Sequence, residues 1–494
     1  MDNLKEKTAK GLFWGGMNNG IQQLLGLVFG IILGRLLDPS DYGMTAMLAV
    51  FSVIANELQS SGFKTGLINL KSPTHDDYNA VFWFNILAGA AIYACLWMAA
   101  PLIADYYHQP KLIPLSRYVF LGFVFSSFGM AQSAYLTKQM QIKQIAQCGM
   151  TATLVSSLVS VTLAALGFGY WALATQYLLY IAVNTLLLWY FSPWRPSLFT
   201  LHSSLFTPLK KLFPFSVRIM LSAIFTQLNN NIMNLLLGRY YGESNTGHYN
   251  QAYQWSSKCF LLVGNMLKQV DQTVLVGLHD ERERQLAVLR KMVRFTAFIS
   301  FPLLFGLGLV SHEFIVLAIG EKWAFSASLL PLLCLCGAFM PLSTLLTDSI
   351  ISQHRSDIYL WNTLALGILQ IVLMVSLWRE GIYAMVIAYT LLNIGWMFVW
   401  HFFVSRLMHY RLLHFLKDIL PFALVAATVM AITRWTTELI ADGLELTDDT
   451  PRQWVLLISR TAIAAMLYYA VMRLSGAVIL KECIAFIKKL FLKL

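Results

Sequence analysis

Charge is scarce in this chain: Asp, Glu, Lys and Arg make up 12% of its 494 residues while 57% are apolar, about half the charged share of an ordinary soluble domain. That shortage excludes a protein whose main solvent is water. The sequence also lacks paired cysteines outside apolar runs. Cys95, Cys148, Cys259, Cys334 and Cys336 lie within such runs and Cys483 lies in the tail, so six free thiols are expected rather than a disulfide framework. The ten histidines show no His-x-x-x-His pair and no metal spacing with cysteine, and no P-loop pattern occurs. No cofactor, metal or nucleotide is therefore expected. A net charge of +11 could suggest nucleic acid, but the basic residues are dispersed over short loops instead of forming a patch, which excludes that partner.

Apolar runs of about twenty residues fill the length of the chain, about fourteen in all, each enough to cross a hydrocarbon core of about 30 Å as a helix. The first, Gly11 to Gly34, follows Lys5, Lys7 and Lys10 without an Ala-x-Ala site and reads as an uncleaved span. With the N-terminus inside, the inner segments hold 24 Lys and Arg residues, whereas the outer loops hold eight (Arg35, Lys111, Arg117, Arg239, Lys322, Arg379, Arg434 and Arg452). The positive-inside rule then places both termini in the cytoplasm. The expected fold is an all-α integral membrane protein of two halves, which the family resemblance carried by stretches such as Gly34 to Gly43 implies are two pseudo-symmetric six-helix lobes around a central cavity, plus two C-terminal helices. Its expected boundaries are 1–192 for the N-terminal lobe, 193–211 for a cytoplasmic linker with Pro193, Pro196 and Pro208, and 212–406 for the C-terminal lobe. Residues 407–476 would form the additional pair and 477–494 an amphipathic tail, whose Lys481, Lys488, Lys489 and Lys493 suit an anionic leaflet. Spans that matter below are placed at 113–136, 212–238, 248–276, 294–319 and 453–475.

An internal repeat supports the two lobes. Shifted by 204 residues, Gly34, Arg35, Ser40, Gly43, Ser52 and Lys64 coincide with Gly238, Arg239, Ser244, Gly247, Ser256 and Lys268. The matched feature is the first outer turn of each half, in the same orientation, as in parallel repeats with a substrate path between them.

Charge inside a span is costly, about 2.5 to 3.5 kcal/mol on insertion scales, unless it meets water or a partner. Glu57 and Lys258 fall near mid-depth, and Lys64, Arg218, Lys268 and Asp271 toward the cytoplasmic side. Lys64 and Lys268 each follow a turn glycine by 21 residues, which puts both roughly 31 Å below the outer surface at 1.5 Å per residue. Together with Arg218 they could floor a cavity for an anionic group such as a pyrophosphate. Snorkelling to the interface explains the same residues without a ligand. Glu57 is a candidate for proton or sodium coupling, with a partner role toward Lys258 or a packing hydrogen bond as alternatives. Asn19 and Gln23, and likewise Gln227, Asn230 and Asn234, share helix faces that suit sugar hydroxyls or, equally, interhelical bonding.

Several stretches carry a family likeness: Gly34-Arg35-Leu36-Leu37-Asp38-Pro39-Ser40-Asp41-Tyr42-Gly43, Ser61-Gly62-Phe63-Lys64, Phe82-Trp83-Phe84-Asn85, Pro214-Phe215-Ser216 with Arg218, Leu237 to Gly242, Tyr249 to Tyr253, and Gly320-Glu321-Lys322-Trp323. The chain resembles the polysaccharide flippases of the multidrug, oligosaccharidyl-lipid and polysaccharide exporter superfamily, nearest the colanic acid exporter branch, up to about residue 410. The resemblance implies movement of an undecaprenyl-pyrophosphate-linked oligosaccharide by alternating access for O-antigen, capsule or exopolysaccharide synthesis. It also implies a cavity between spans 1, 2, 7 and 8, where Lys64, Arg218, Lys258 and Lys268 fall. Expected partners are that lipid-linked substrate, membrane lipids, and the polymerase and chain-length machinery, with the chain itself a monomer. A cation-coupled multidrug exporter, working as an antiporter, is the alternative within transport. A membrane polymerase or ligase is disfavoured because no large outer loop is present.

Overall fold

The computed structural model describes residues 20–60, 67–68, 70, 72–197, 206–277, 282–353, 355–443, 449–476 and 479–482, without the side chains of 60, 206–223, 267–277, 282, 442–443 and 449. Among the described residues every regular element is helical. We number them α1 (Gly20–Leu36), α2 (Pro39–Ser60), α3 (His75–Tyr107), α4 (Leu112–Ser127), α5 (Met130–Lys138), α6 (Ile142–Ala165), α7 (Tyr170–Phe191), α8 (Phe206–Gly277), α9 (Arg282–Leu309), α10 (Ser311–Ile319), α11 (Ala324–Ser352), α12 (Ser356–Leu377), α13 (Ile382–Met408), α14 (Leu412–Gly443) and α15 (Asp449–Leu474). Nine described helices are long and apolar enough to cross a membrane, or ten if α4 and α5 form one bent span. α2 is not one of the nine, because Asn56, Glu57 and Gln59 interrupt its apolar run.

Three span boundaries differ from the sequence expectation. The expected span 113–136 is broken into α4 and α5 by a 44° bend. There Ser126 and Ser127 turn their hydroxyls back onto the carbonyls of Phe123 and Val124, a competition with the helix ladder that bends helices. The expected outer loop between 238 and 248 is helical apart from Gly242 (φ 78°, ψ −175°). Only a residue without Cβ takes that conformation at low cost, and the Thr246 hydroxyl donates back to the Gly242 carbonyl at 2.8 Å in the first turn of the restarted helix. The span expected at 294–319 begins earlier, at Arg282, and ends at Leu309, with α10 a separate short helix before Gly320 (φ 104°). Of the six cysteines, the five described are free, and Cys483 lies outside the described residues.

The chain divides into two compact units, Met1–Gly247 and His248–Leu494. The core of the first is built from α2, α3 and α4, with Met47, Tyr107, Leu112, Phe120 and Phe123 buried together. Lipid tails are as apolar as these side chains, so close packing and interhelical hydrogen bonds hold such helices, not escape from water. Gly89 of α3 shows the closeness: a Cβ there would stand 2.8 Å from the Phe123 carbonyl and 2.9 Å from Gln59 Nε2. The same Gln59 is fully enclosed, donating to Phe123 O at 2.7 Å and accepting from Ser126 Oγ at 2.7 Å. The irregular segment after α7 is pinned to α3. Trp194 Nε1 donates to His75 Nδ1 (3.2 Å), and the Ser197 amide donates to Asn79 Oδ1 (3.2 Å). The stretch expected as linker is helical again from Phe206.

The second unit uses the same devices. Ser256 of α8 donates to the Leu333 carbonyl of α11 at 3.0 Å, Ser300 of α9 to the Ala338 carbonyl at 2.9 Å, and Tyr468 of α15 to the Phe298 carbonyl at 3.0 Å. Large apolar side chains including Leu102, Leu186, Trp361, Leu424 and Ile458 are left uncovered, as expected of helices whose outer faces meet lipid.

Candidate translocation site

On the seventh expected span, Gln227 is the polar residue that meets α2. Gln227 Nε2 donates to Glu57 Oε1 at 3.3 Å across the two helices. One turn further, the Asn231 amide returns to the Gln227 carbonyl at 3.0 Å. Asn230 is exposed, whereas Asn234 is 4% exposed and its Oδ1 has no hydrogen-bond partner. A buried amide oxygen without a partner costs about 1 to 3 kcal/mol, and this one is enclosed by protein. Gln23 of α1 is exposed.

Lys258 belongs to the second unit. Its ammonium lies 4.2 Å from the centre of the Trp255 ring, a cation–π contact that offsets part of the cost of removing the charge from water. Trp255 is itself held edge-on by Phe314 at 5.0 Å, and its indole N–H has no hydrogen-bond partner. Lys258 is therefore fixed on an aromatic platform without a carboxylate at salt-bridge distance among the described residues. Lys64 and Asn19 lie outside the described residues, and so do the side chains of Arg218, Lys268 and Asp271. Glu57 and Gln227 are thus the members of the predicted set that the structure brings into contact.

Sequence reasoning missed two charged hubs in the second unit. Arg460 of α15 is 7% exposed; it donates to Glu313 Oε1 (2.6 Å), Glu438 Oε1 (3.3 Å) and Thr437 Oγ1 (3.3 Å). A cavity of about 450 Å³ opens beside it, lined by Ser311, His312, Glu313, Ser328 and Arg434 among others. On its other side Arg460 borders an apolar cavity of about 520 Å³ between α9, α14 and α15. The second hub is Asp418 of α14, 4% exposed, which accepts from Arg290 (2.8 and 3.2 Å) and from the Tyr410 hydroxyl (2.8 Å), with Arg294 at 3.5 Å. Tyr410, in the turn between α13 and α14, is pushed well above the ordinary tyrosine range by burial, reinforced by the Asp418 charge and the bond it donates there. Both hubs contain a charge within an expected span, the signal that singled out Glu57 and Lys258.

The two turns matched by the repeat complete the geometry. Arg239 lies at the C-terminus of α3, where it donates to the carbonyls of Asp105 (3.4 Å) and Tyr106 and packs over the Tyr106 ring. A guanidinium there meets the negative end of the helix dipole. Beside it Gly238 admits the Tyr107 ring, which would stand 2.6 Å from a Cβ, and Tyr107 in turn donates to the Met47 carbonyl at 3.0 Å. The second Gly-Arg pair of the repeat thus ties α8 to α3 and α2.

Comparison with known proteins extends these observations. A family model described as "Polysaccharide biosynthesis protein" matches residues 32–328. Among curated relatives, the lipopolysaccharide biosynthesis protein WzxC of Escherichia coli K12 is 28% identical over 361 residues, 72% of each chain. The teichuronic acid biosynthesis protein TuaB of Bacillus subtilis 168 is 24% identical over 413 residues, 81% of this chain and 80% of that one. Among solved structures, the lipid II flippase MurJ in an inward closed conformation superposes with a TM-score of 0.67 at 12% identity, covering 94% of this chain and 99% of its own. An inward-facing multidrug resistance MATE transporter of the MOP superfamily reaches 0.62 at 16% identity, covering 79% and 96%. At such low identity these two structures speak for the fold alone. The chain is a multi-pass membrane protein, and it belongs to the polysaccharide biosynthesis protein family.

Proposed function

We propose that this membrane protein is a transporter, a flippase that moves an undecaprenyl-pyrophosphate-linked oligosaccharide across the bacterial inner membrane by alternating access, with both termini in the cytoplasm. The observation that carries the reading is the polar face of α8, where Gln227 bonded to Glu57 and the exposed Asn230, with Asn234 on the same face, would offer a sugar the hydrogen bonds that lipid cannot. Lys258, held on Trp255, supplies a fixed positive charge of the kind a pyrophosphate needs. Lys64, Arg218 and Lys268 would extend that charge toward the cytoplasm, with Asn19 and Gln23 adding polar contacts on the first span. The Glu57 carboxylate, bonded to Gln227, would couple a proton or sodium ion to the polar face. The names of WzxC and TuaB, both tied to surface-polysaccharide synthesis, support a glycan substrate. A polymerase with its chain-length machinery would consume the product, and a monomer is sufficient because two internal halves already supply the symmetry.

The deciding experiment is flipping of a labelled undecaprenyl-pyrophosphate glycan in reconstituted vesicles, comparing wild type with Lys258→Ala, Lys64→Ala, Lys268→Ala and the double lysine change. Flipping by wild type and its loss in Lys258→Ala at normal folding support the proposal. Flipping that survives all four changes refutes the cationic assignment. Wild-type protein that is folded, moves no lipid-linked glycan and exchanges organic cations for protons or sodium would establish the drug-exporter alternative.

A further inference from the structure

The two outer turns matched by the repeat touch each other, and they do so reciprocally. α2 begins at Pro39, and Gly43 stands one turn inside it. The restarted part of α8 follows Gly242, and Gly247 stands one turn inside that helix. A Cβ on Gly43 would fall 1.7 Å from the carbonyl oxygen of Glu243, and a Cβ on Gly247 would fall 1.7 Å from the carbonyl oxygen of Pro39. Pro39 and Glu243 are separated by the same 204 positions that separate Gly43 from Gly247. The contact is therefore one interaction made twice, each glycine seated on the first-turn carbonyl of the other helix. Gly247 also brings its Cβ position within 3.0 Å of the Gly43 amide nitrogen, so no side chain separates the backbones at the crossing.

The neighbouring residues hold each helix start in place for this contact. Asp41 accepts from the Asp38 amide at 3.0 Å, and on the other turn Thr246 and Asn245 bond back to the carbonyls of Gly242 (2.8 Å) and Tyr241 (3.0 Å). Backbone-on-backbone crossings of this type gain from close dispersion and Cα–H···O contacts and depend on small residues. They are short-range, so a small separation abolishes them.

We infer that Gly43 and Gly247 form a reciprocal latch that closes the outer ends of α2 and the restarted α8, and that opening toward the outer side requires the latch to part. The inference rests on transport by alternating access but not on any particular cargo. An alanine at either glycine must move the opposing carbonyl by about 1.3 Å, from 1.7 Å to the 3.0 Å floor of real Cβ contacts. Since the latch is symmetric, the two alanine variants should have equal effects. Gly26→Ala and Gly264→Ala provide controls, because a Cβ at either meets nothing within 4 Å.

The test needs no substrate. A cysteine at Asn230, introduced where the native cysteines have been replaced, is labelled from the outer side with a membrane-impermeant maleimide. Gly43→Ala and Gly247→Ala should each raise the labelling rate about tenfold by shifting the population toward the outward-open state, with both controls unchanged. Equal labelling in folded latch variants and wild type overturns the latch, as does an equal rise in the controls. Should the alanine variants fail to fold, spin labels at Ser40→Cys and Ser244→Cys, twin positions of the repeat, decide the matter with both glycines intact. Two distance populations whose ratio shifts with an imposed ion gradient support the latch, and one fixed short distance under all conditions overturns it. Either result is independent of whether a lipid-linked glycan is flipped.

Discussion

Replacing Arg460 by Leu should be among the most destabilising single changes in the second unit. The guanidinium has three side-chain partners and a side-chain exposure of 8%, and Glu313, at 2.6 Å, has a side-chain exposure of 6%. Removing one member of such a pair leaves a buried charge without compensation, which costs about 3 to 5 kcal/mol. Glu313 would bear most of that cost, because its Oε2 already lacks a hydrogen-bond partner whereas Glu438 keeps Arg434 at 3.1 Å. Glu313→Gln should cost less, since the amide oxygen still accepts from Arg460. Arg460→Leu combined with Glu313→Leu should recover much of the single-variant loss, because two apolar groups in an apolar setting leave no orphaned charge. The coupling energy of that double-mutant cycle is expected at about 2 kcal/mol or more. Equilibrium unfolding in mixed micelles measures it. A loss below about 1 kcal/mol for Arg460→Leu, or strictly additive effects of the two leucines, would falsify the view that this ion pair anchors α15 to α10.

Three further outcomes follow from the geometry. Gly89→Val should destabilise the first unit by about 1 to 3 kcal/mol through overpacking, since its added carbons meet the Phe123 carbonyl and Gln59; equal unfolding midpoints for variant and wild type would refute this. Because burial and the Asp418 charge raise the Tyr410 hydroxyl's pKa above the ordinary tyrosine range, its contribution is fully present below about pH 10 and is lost as pH rises through the folded value. The alkaline loss of stability should therefore be smaller in Tyr410→Phe than in wild type, and identical pH profiles would refute that role. Glu57→Gln should leave the protein folded, since Gln227 can still find an acceptor oxygen there, but should abolish dependence of transport on an ion gradient. Gradient-driven transport at the wild-type rate in that variant would remove Glu57 as the coupling group.

Membrane class could be read from the chain alone, because an apolar run long enough to cross a bilayer is a local property of consecutive residues. The matched turns could be read as well, since Gly43 and Gly247 sit at fixed positions in a repeat. Breaks within helices were harder to foresee. The bend before Met130 arises from two serines choosing their own carbonyls, and the Gly242 turn from one backbone dihedral; neither changes hydropathy. Among the charges in spans, Glu57 and Lys258 stood out in sequence, while Arg460, Glu313 and Asp418 are given their roles by partners up to 147 positions away. Sequence by itself thus determined that this chain lives in a membrane, is built from a repeat, and carries polar groups where lipid cannot satisfy them. Tertiary structure alone decided which of those groups satisfy one another and that the repeat's two glycines meet, because pairing between distant helices depends on distances that no local pattern of residues encodes.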